Sequence, residues 1–523
     1  MAQDIANRAQ RIARRRRLPL PPGPRGYPII GNITQLDTER HWHTFVQWKK
    51  EYGRFAVPPL PFTYNRAWKL TVSPGDIVHF RLFNQSVILL NTAKATGDLL
   101  DRRASNYSER PRLPVLEHLT GGMENNIISA NHGPMWRSQR RAAHNALNMR
   151  VIKGYYPIQM REAVQLALDM LDSPNNWMKH THRFASIESA SVIYNDPSHG
   201  QALSVLTDFL DTIAEVSGPG KYLANHIHLF EHVPECFANW KKMTREKYEL
   251  FSEKFLFCFK EIKGAVLRKE EIGPSFCATM SETHDQHGLN ETQAAWLAAV
   301  LYSAGYETTA NALGWLLLAM ASFPEVQQKV QAELDSVIGR TRIPTLDDMV
   351  NLPYYRAVVK EVLRWRPPVP FGVFHGSKED DVYEGYYIPK GSAIVGNILA
   401  IDHEEMLYGP NPNHFIPERF LNPDGTHKPS PADTKEEGHF SFGFGRRICP
   451  GRHLANNALL SFAVVLWAMI IEPGSDADGG KVGITTDDRG HGILSRANIF
   501  VVSTRNRFPE AAQILVTEQS VYV

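Results

Sequence analysis

Cys449 is the residue with the clearest capacity for chemistry in this chain of 523 residues. Gly445 and Gly451 flank it and Pro450 follows it, so the backbone can turn tightly there and pass close to a flat group. Residues 452–460 have a helical pattern, which places the sulfur just ahead of a helix N-terminus, where an anion is favoured. The pattern indicates a thiolate that binds a metal. The alternative is a buried structural cysteine in a glycine-containing turn.

Phe442 and Arg447 complete the pattern around the cysteine. Together with the two glycines they match Phe-x-x-Gly-x-Arg-x-Cys-x-Gly, and at these residues the chain resembles the cytochrome P450 family of haem-thiolate monooxygenases. The resemblance implies that Cys449 is the axial ligand of the iron in haem b, iron protoporphyrin IX. Arg447 is then a cation for a haem propionate, and Phe442 is an apolar cover that keeps water from the sulfur.

A second unusual stretch, residues 304–309, lies in the middle of a long predicted helix that begins at the capping residue Asn290. Glycine costs about 1 kcal/mol relative to alanine inside a helix, and the polar side chains beside it need partners. Such departures from local rules are typical of functional sites. The stretch resembles the oxygen-activation motif of the family. By that resemblance Gly305 lets dioxygen approach the backbone, Thr308 hydrogen-bonds the oxygen, and Glu307 relays protons with ordered water.

Three further residues resemble the family's propionate-binding positions. Trp136 and Arg140 are four residues apart on a predicted helix that Pro134 opens, so both side chains can clamp one carboxylate. Without the resemblance, a basic helix on the surface is the plainer interpretation. His375 matches a position that often contacts the second propionate in related fungal members.

A structural network is also implied. Glu361 and Arg364 match the family's Glu-x-x-Arg motif in an apolar helical segment, and Arg419 within Pro-Glu-Arg-Phe supplies the third member. Most pairs at this spacing are surface salt bridges that contribute little. The resemblance instead predicts a buried network that braces the cysteine loop.

The elements that hold these groups are expected to be mainly α-helical with small β-sheets. The resemblance implies the cytochrome P450 fold, with the haem between a long distal helix and a proximal cysteine loop and helix. Residues 76–82 and 86–91 predict a hairpin. Residues 381–388 and 392–399 predict short strands that complete the same small sheet.

Residues 21–510 are expected to form a single catalytic domain. Residues 1–20 form a basic N-terminal tail, and residues 511–523 a C-terminal tail. Residues 54–74 are expected to be an insertion, either a surface loop near a membrane-facing side or an artefact of the gene model, because long structureless loops are uncommon.

Composition limits the partners. The chain has 57 Lys+Arg against 55 Asp+Glu and 43% hydrophobic residues, which indicates an ordinary globular protein and no nucleic-acid partner. The basic tail contains no apolar run of spanning length. By resemblance the protein acts at the cytoplasmic face of the endoplasmic reticulum membrane. The tail either touches an anionic membrane surface peripherally or is a solvated segment, and a peripheral or cytoplasmic location is then possible.

The expected reaction inserts one oxygen atom from O2 into an apolar organic substrate, and the fungal resemblance implies a role in secondary metabolism. No glycine-rich dinucleotide fingerprint follows the cysteine region, so electrons are expected from a separate NADPH-cytochrome P450 reductase. The alternatives are a haem-thiolate isomerase or peroxygenase that needs no reductase, and a haem-binding protein without turnover. The sequence does not specify the substrate.

Overall fold

The computed structural model describes five stretches of the chain, which are residues 18–53, 76–195, 202–218, 220–475 and 480–522. The predicted insertion at 54–74 and residues 1–17 of the basic tail lie outside these stretches.

Helices dominate the described chain, as predicted. The longer ones are α1 (His41–Gly53), α2 (Pro134–Leu147), α3 (Tyr156–Asp172), α4 (Trp177–Tyr194), α5 (Ala202–Ser217), α6 (Asn239–Leu267), α7 (Glu291–Ser322), α8 (Pro324–Val337), α9 (Pro353–Trp365), α10 (Arg452–Ser461) and α11 (Ala511–Tyr522). Shorter helices are Ala93–Thr96, Ala104–Tyr107, Pro114–Leu119, Phe276–Glu282, His284–His287, Ile398–Ile401, Glu405–Tyr408 and Ala463–Ala468. Within the described stretches, we find no helix long and apolar enough to cross a membrane.

Helix α7 is the central element of the core. Its first turn is closed by a capping box between Asn290 and Gln293, which confirms the predicted start, and Phe323 ends it ahead of a proline. Apolar residues occur on every side of α7, as expected for a helix that is buried all round. It packs against α4, α6 and α10. This burial fixes the position of residues 304–309 in the middle of the molecule.

The main sheet has four strands in the order β1 (Ile77–Leu82), β2 (Gln85–Leu90), β6 (Ala393–Gly396) and β3 (His375–Gly376). Strands β1 and β2 form the predicted antiparallel hairpin. Strand β6 continues the sheet, pairing parallel to β2 and antiparallel to β3. Two further pairs stand apart from it: β7 (Met469–Pro473) with β10 (Val502–Asn506), and β8 (Asp488–His491) with β9 (Leu494–Ala497).

The predicted placement of residues 381–388 was wrong. Strands β4 (Asp381–Tyr383) and β5 (Tyr386–Ile388) pair with each other and form a separate two-stranded sheet. The two residues between them, Glu384 and Gly385, both have positive φ, at 48° and 82°. Such a turn folds a hairpin back on itself, so the hydrogen bonds of β4 and β5 are made to each other and not to the main sheet.

Residues 511–523 are also not simply a tail. Residues Ala511–Tyr522 form α11, which packs against α3. Ala511 and Leu515 are fully buried in the main core cluster. Their spacing of four residues places both on one face of the helix, and that apolar face is what holds the C-terminal segment against the protein.

The β8–β9 hairpin connects the N-terminal part of the chain with the central helix. The Asp488 carboxylate accepts hydrogen bonds from the Trp42 indole and from His43 Nε2, both at 2.6 Å, on α1. Strand β9 packs against α7. The hairpin therefore has a fixed position beside residues 304–309.

Candidate active site

The cysteine loop is closed by its own backbone. The Cys449 N–H donates to the Phe442 carbonyl at 2.9 Å, and Gly451 precedes the first residue of α10. Burial raises the pKa of the Cys449 thiol, although the Gly451 N–H and the nearby Arg140 act in the opposite direction. We expected the helix N-terminus to favour a thiolate, and the Gly451 N–H acts in that direction, but burial has the larger effect on the pKa of this thiol. A bound metal cation would favour ionisation of this thiol.

The two glycines of the motif have different surroundings. A Cβ atom on Gly445 would lie 2.1 Å from the Leu100 carbonyl oxygen, and this residue has a φ of +53°. Its close approach is thus to the backbone around Leu100, whereas we expected an approach to a flat ligand. A Cβ on Gly451 would meet only the Cys449 sulfur, at 4.0 Å, so the space beside the sulfur is kept open there.

Trp136 lies between two of the predicted cations. The Arg447 guanidinium carbon is 4.6 Å from the Trp136 ring centroid, and the Arg140 guanidinium carbon is 5.8 Å from it. Arg447 donates to the Ser108 carbonyl at 2.8 Å, and Arg140 donates to the Ile448 carbonyl at 2.8 Å. Burial lowers the pKa of Arg447 to about 10 and also lowers the pKa of Arg140.

Arg110 is a third cation of this cluster, and sequence reasoning missed it. Its side chain donates to the carbonyls of Ile128, Val373 and Phe374. Burial, followed by the charges of Arg447 and Arg140, holds its pKa well below the usual range. Across the described stretches, no carboxylate forms an ion pair with these three arginines. Nothing in the spacing around Arg110 distinguishes it from other loop arginines, so no sequence signal marked it.

His375 is buried beside the same cluster. Its Nδ1 lies 2.8 Å from the Tyr107 carbonyl oxygen, which fixes the proton on Nδ1 because a carbonyl only accepts. Burial first, and then the charge of Arg110, lower the pKa of His375 to about 3. The neutral ring has no second N–H to offer. A carboxylate at Nε2 would raise this pKa and add the second proton.

The centre of α7 is open on one face. Ala304 is exposed and Thr308 is partly exposed, although most of the helix is buried. The Thr308 hydroxyl donates to the Ala304 carbonyl at 2.6 Å. Gly305 faces elsewhere: a Cβ on it would lie 2.9 Å from Ser189 Oγ on α4. The absence of a side chain at Gly305 therefore allows close packing of α7 on α4, a role different from the expected approach of dioxygen.

Glu307 is held by a residue that the sequence did not indicate. Arg496 on β9 donates to Glu307 Oε2 at 2.6 Å, and both side chains are more than four-fifths buried. Tyr306, at the variable position of the motif, contacts the His182 ring edge to face with centroids 5.7 Å apart. Burial and the Glu307 charge raise the pKa of Tyr306 to about 12, so its hydroxyl stays protonated.

Glu361, Arg364 and Arg419 are in contact. Arg364 donates to both oxygens of Glu361, at 2.6 and 2.8 Å, and both side chains are fully buried. Arg419 Nε donates to Glu361 Oε1 at 3.1 Å. Ser441, in the segment that leads into the cysteine loop, donates to the Leu363 carbonyl of the same helix. Helix α9 is therefore joined directly to that segment.

These features fit a haem. A flat dianionic group supplies two carboxylates, and no carboxylate pairs with Arg110, Arg140 or Arg447 in the described stretches. Its iron would supply the cation that favours ionisation of the Cys449 thiol. The exposed Ala304 and Thr308 leave one face of α7 free for a ligand.

Residues 62–466 match the family model "Cytochrome P450". The chain is 38% identical over 506 residues to a cytochrome P450 monooxygenase of Armillaria gallica, covering 96% of this chain and 92% of that protein. It is 37% identical over 505 residues to cytochrome P450 monooxygenase 58 of Postia placenta, covering 95% and 91%. Over 507 residues it is 34% identical to a cytochrome P450 monooxygenase of Amanita muscaria, covering 88% and 86%.

A mainly helical fold with small sheets and a match of this extent define a haem-thiolate enzyme. The chain belongs to the cytochrome P450 family. Its cofactor is haem, and its activity is that of a monooxygenase.

Proposed function

We propose that the protein inserts one oxygen atom from O2 into an apolar organic substrate, with electrons from a separate NADPH-cytochrome P450 reductase. The main support is the open face of α7. Thr308 is accessible there, and Glu307 directly precedes it in the chain. Arg137, Arg141 and Arg446 are exposed near the cysteine loop. Such a basic surface attracts an acidic electron donor to the side of the protein where Cys449 lies.

Cys449 is the proposed ligand of the haem iron. Arg447, Arg140 and Trp136 hold the propionates, and Arg110 joins them by its position in the same cation cluster. When bound, the haem supplies the activation of dioxygen and the transfer of its oxygen atom. The protein holds the group, keeps water from the sulfur and delivers protons.

Two residues complete the proposed surroundings of the haem. His375 contacts one propionate in its doubly protonated state, which the carboxylate stabilises. Phe442 covers the sulfur. Its ring is partly buried against the main core and lies 5.5 Å, centroid to centroid, from that of His439.

Proton delivery falls to Thr308 and Glu307. The Thr308 hydroxyl donates its proton to a hydrogen bond with the Ala304 carbonyl, so its oxygen is free to accept a hydrogen bond from water on the open face. The Glu307 carboxylate accepts a hydrogen bond from Arg496, so its part in proton delivery requires its release from that arginine. The two residues thus form a path in which Glu307 supplies protons through water and Thr308 orients them.

The substrate is expected to contact the loops at 113–131 and 370–373. Ile128 and Val373 are apolar and exposed in these loops. Their carbonyls both accept hydrogen bonds from Arg110, which holds the two loops near each other. Exposed apolar side chains on two connected loops favour an apolar substrate, consistent with a role in secondary metabolism.

A peripheral contact with the cytoplasmic face of the endoplasmic reticulum membrane is also proposed. Leu229, Phe230 and Phe237 are exposed between α5 and α6. This segment is near the β1–β2 hairpin, because His226 stacks on Phe83 with ring centroids 5.0 Å apart. Clustered exposed apolar residues mark membrane or protein contacts. Sedimentation with phosphatidylcholine vesicles measures the contact, and protein that stays in the supernatant would argue against it.

Thr308→Ala tests the proposed reaction. Haem content and NADPH consumption should stay close to wild type, while product per NADPH should fall, because positioned proton donors contribute on the order of 10²–10⁴-fold. The electrons should appear as hydrogen peroxide. The assay needs purified reductase and a substrate found by its displacement of water from the ferric haem, seen as a spectral shift.

The control is Thr309→Ser, because Thr309 is buried and points away from the open face of α7. Its product per NADPH should match that of the wild type. Equal coupling in Thr308→Ala and wild type would contradict the proton path. Product formed from peroxide or from substrate alone, without reductase, would favour a peroxygenase or an isomerase.

A further inference from the structure

A small cavity lies between the β8–β9 hairpin, α4 and α7. Its polar lining comes from three elements: His182 on α4, Asn311 on α7, and Arg489 and Arg496 on the hairpin. Met178 on α4 also borders it. We call this cavity the hairpin pocket. Its residues are distinct from the proposed haem ligands, and Arg496 connects it to Glu307.

The hairpin places two positive charges directly opposite each other. Arg489 and Arg496 are register partners in the antiparallel pair of β8 and β9, an arrangement that is destabilising for like charges. Arg496 pairs with Glu307. Among the described residues, Arg489 donates only to the Met178 sulfur at 3.0 Å and to the Ala497 carbonyl at 3.2 Å. In the part of the chain that is described, no carboxylate pairs with Arg489, so one positive charge is unbalanced.

Two hydrogen-bond donors at the pocket lack acceptors. Asn311 Nδ2 and Arg496 Nε are both buried and have no hydrogen-bond partner among the residues that the structure describes. Asn311 is only 5% exposed. Leaving buried donors unpaired is costly, so such groups normally have a partner. Because both atoms are donors, the missing partner must be an acceptor.

His182 does not change this balance. The Nδ1 atom of His182 is 2.7 Å from the Met178 carbonyl oxygen. Burial lowers the pKa of His182, so its ring is neutral at pH 7. The Tyr306 hydroxyl nearby is protonated and also carries no charge. The charged groups at the pocket are therefore the two arginines and Glu307. Their sum is one positive charge.

We propose that the hairpin pocket binds a small monovalent anion of halide size, held by Asn311 and Arg496 and balancing the charge of Arg489. Glu307 binds another nitrogen of the Arg496 guanidinium, and the negative charge of the anion offsets the positive charge that holds Glu307 there. Binding therefore weakens the Glu307–Arg496 pair and releases Glu307 for its proposed part in proton delivery, so the anion increases the fraction of electrons that reaches product. This second part rests on the proposed role of Glu307, whereas the binding site itself rests only on the pocket.

The binding site is tested with bromide, which scatters X-rays anomalously. Crystals of the haem-loaded protein soaked in bromide should show an anomalous peak within hydrogen-bond distance of Asn311 Nδ2 and Arg496 Nε. Asn311→Leu has a similar volume and no donor, and its peak should be absent. In solution, bromide should raise the thermal unfolding midpoint of wild type, with at least tenfold weaker apparent affinity in Asn311→Leu. Water in the pocket at high bromide, with no anomalous signal, would overturn the site.

Asn311→Asp provides a second test, which can be carried out even if Asn311→Leu does not fold. The added carboxylate replaces the anion, so bromide should no longer change the unfolding midpoint. A midpoint that rises with bromide equally in this variant and in wild type would overturn the site.

The effect on turnover is measured as hydrogen peroxide released per NADPH, with chloride added against gluconate at equal ionic strength. Chloride should lower peroxide release in wild type and have no effect in Asn311→Leu. An anomalous peak without any effect of chloride would overturn the coupling to Glu307 and leave the site standing. The proposed relay fails separately if Glu307→Gln keeps the wild-type yield of product per NADPH.

Discussion

Replacing Arg364 by alanine should be among the most destabilising single changes in the protein. The guanidinium donates two hydrogen bonds to Glu361 and others to the carbonyls of Asp402, Pro412 and His414. Both Glu361 and Arg364 are fully buried. The alanine variant thus leaves a buried carboxylate without its main cation, and three carbonyls without this donor.

The expected loss is about 3–5 kcal/mol in the free energy of unfolding, the range for removing one partner of a buried ion pair. Glu361 keeps two donors, Arg419 Nε at 3.1 Å and the Ile416 N–H at 2.8 Å, and these limit the loss. A typical domain has only about 5–15 kcal/mol of net stability. The variant should therefore yield little folded, haem-loaded protein.

The assay is the midpoint of urea unfolding together with haem bound per protein. The unfolding midpoint of Arg419→Ala should lie between those of Arg364→Ala and wild type, because Arg419 makes only one of the hydrogen bonds to Glu361. Arg505→Ala is the control: its contact with Glu472 is 3.6 Å long and both side chains are exposed, so its midpoint should match wild type. A wild-type midpoint and haem content in Arg364→Ala would refute the structural role of the pair.

Two further predictions concern Cys449 and Glu188. Cys449→Ser should abolish the thiolate-type spectrum of the reduced carbonyl complex, because a serine hydroxyl is a much weaker ligand at neutral pH, and an unchanged spectrum would rule out Cys449 as the ligand. Burial raises the pKa of Glu188 from 4.5 to about 8, so its contribution to stability is full below pH 4.5 and is lost as the pH rises towards 8. The glutamine of Glu188→Gln is neutral at every pH. Between pH 5 and pH 8 the free energy of unfolding of this variant, measured with urea, should therefore rise relative to that of wild type by about 3–5 kcal/mol. If the difference in the free energy of unfolding between variant and wild type is independent of pH, Glu188 is already ionised in the folded state.

Local signals in the sequence predicted much of the fold. The capping box at Asn290 and Gln293 and the turn between β1 and β2 depend on residues that are neighbours in the chain, so their patterns are visible there. The pairing of β4 with β5 was misjudged because a hairpin and a strand pair within a larger sheet have the same alternation. Helix α11 was missed because its buried face is short.

The site was predicted less completely. The motif positions are recognisable because their spacing is unusual, but Arg496 is 189 residues from Glu307 and shares no local pattern with it. Arg110 likewise lies in an ordinary loop. The pKa of Cys449 depends on burial by distant segments, whereas the sequence displays only the adjacent helix. Contacts between remote parts of the chain and the degree of desolvation are the two quantities that single-sequence reasoning did not supply.

The β8–β9 hairpin has a consequence for biosynthesis. Trp42 and Asp488 are 446 residues apart, so at ~5–20 residues per second the ribosome needs roughly 20–90 s to make the partner of α1 after α1 itself has emerged. During that time the Trp42 indole has no Asp488 to bind and is available to chaperones. Arg496 is made later still. A nascent chain that has just completed the Cys449 loop therefore does not yet contain the arginine that holds Glu307.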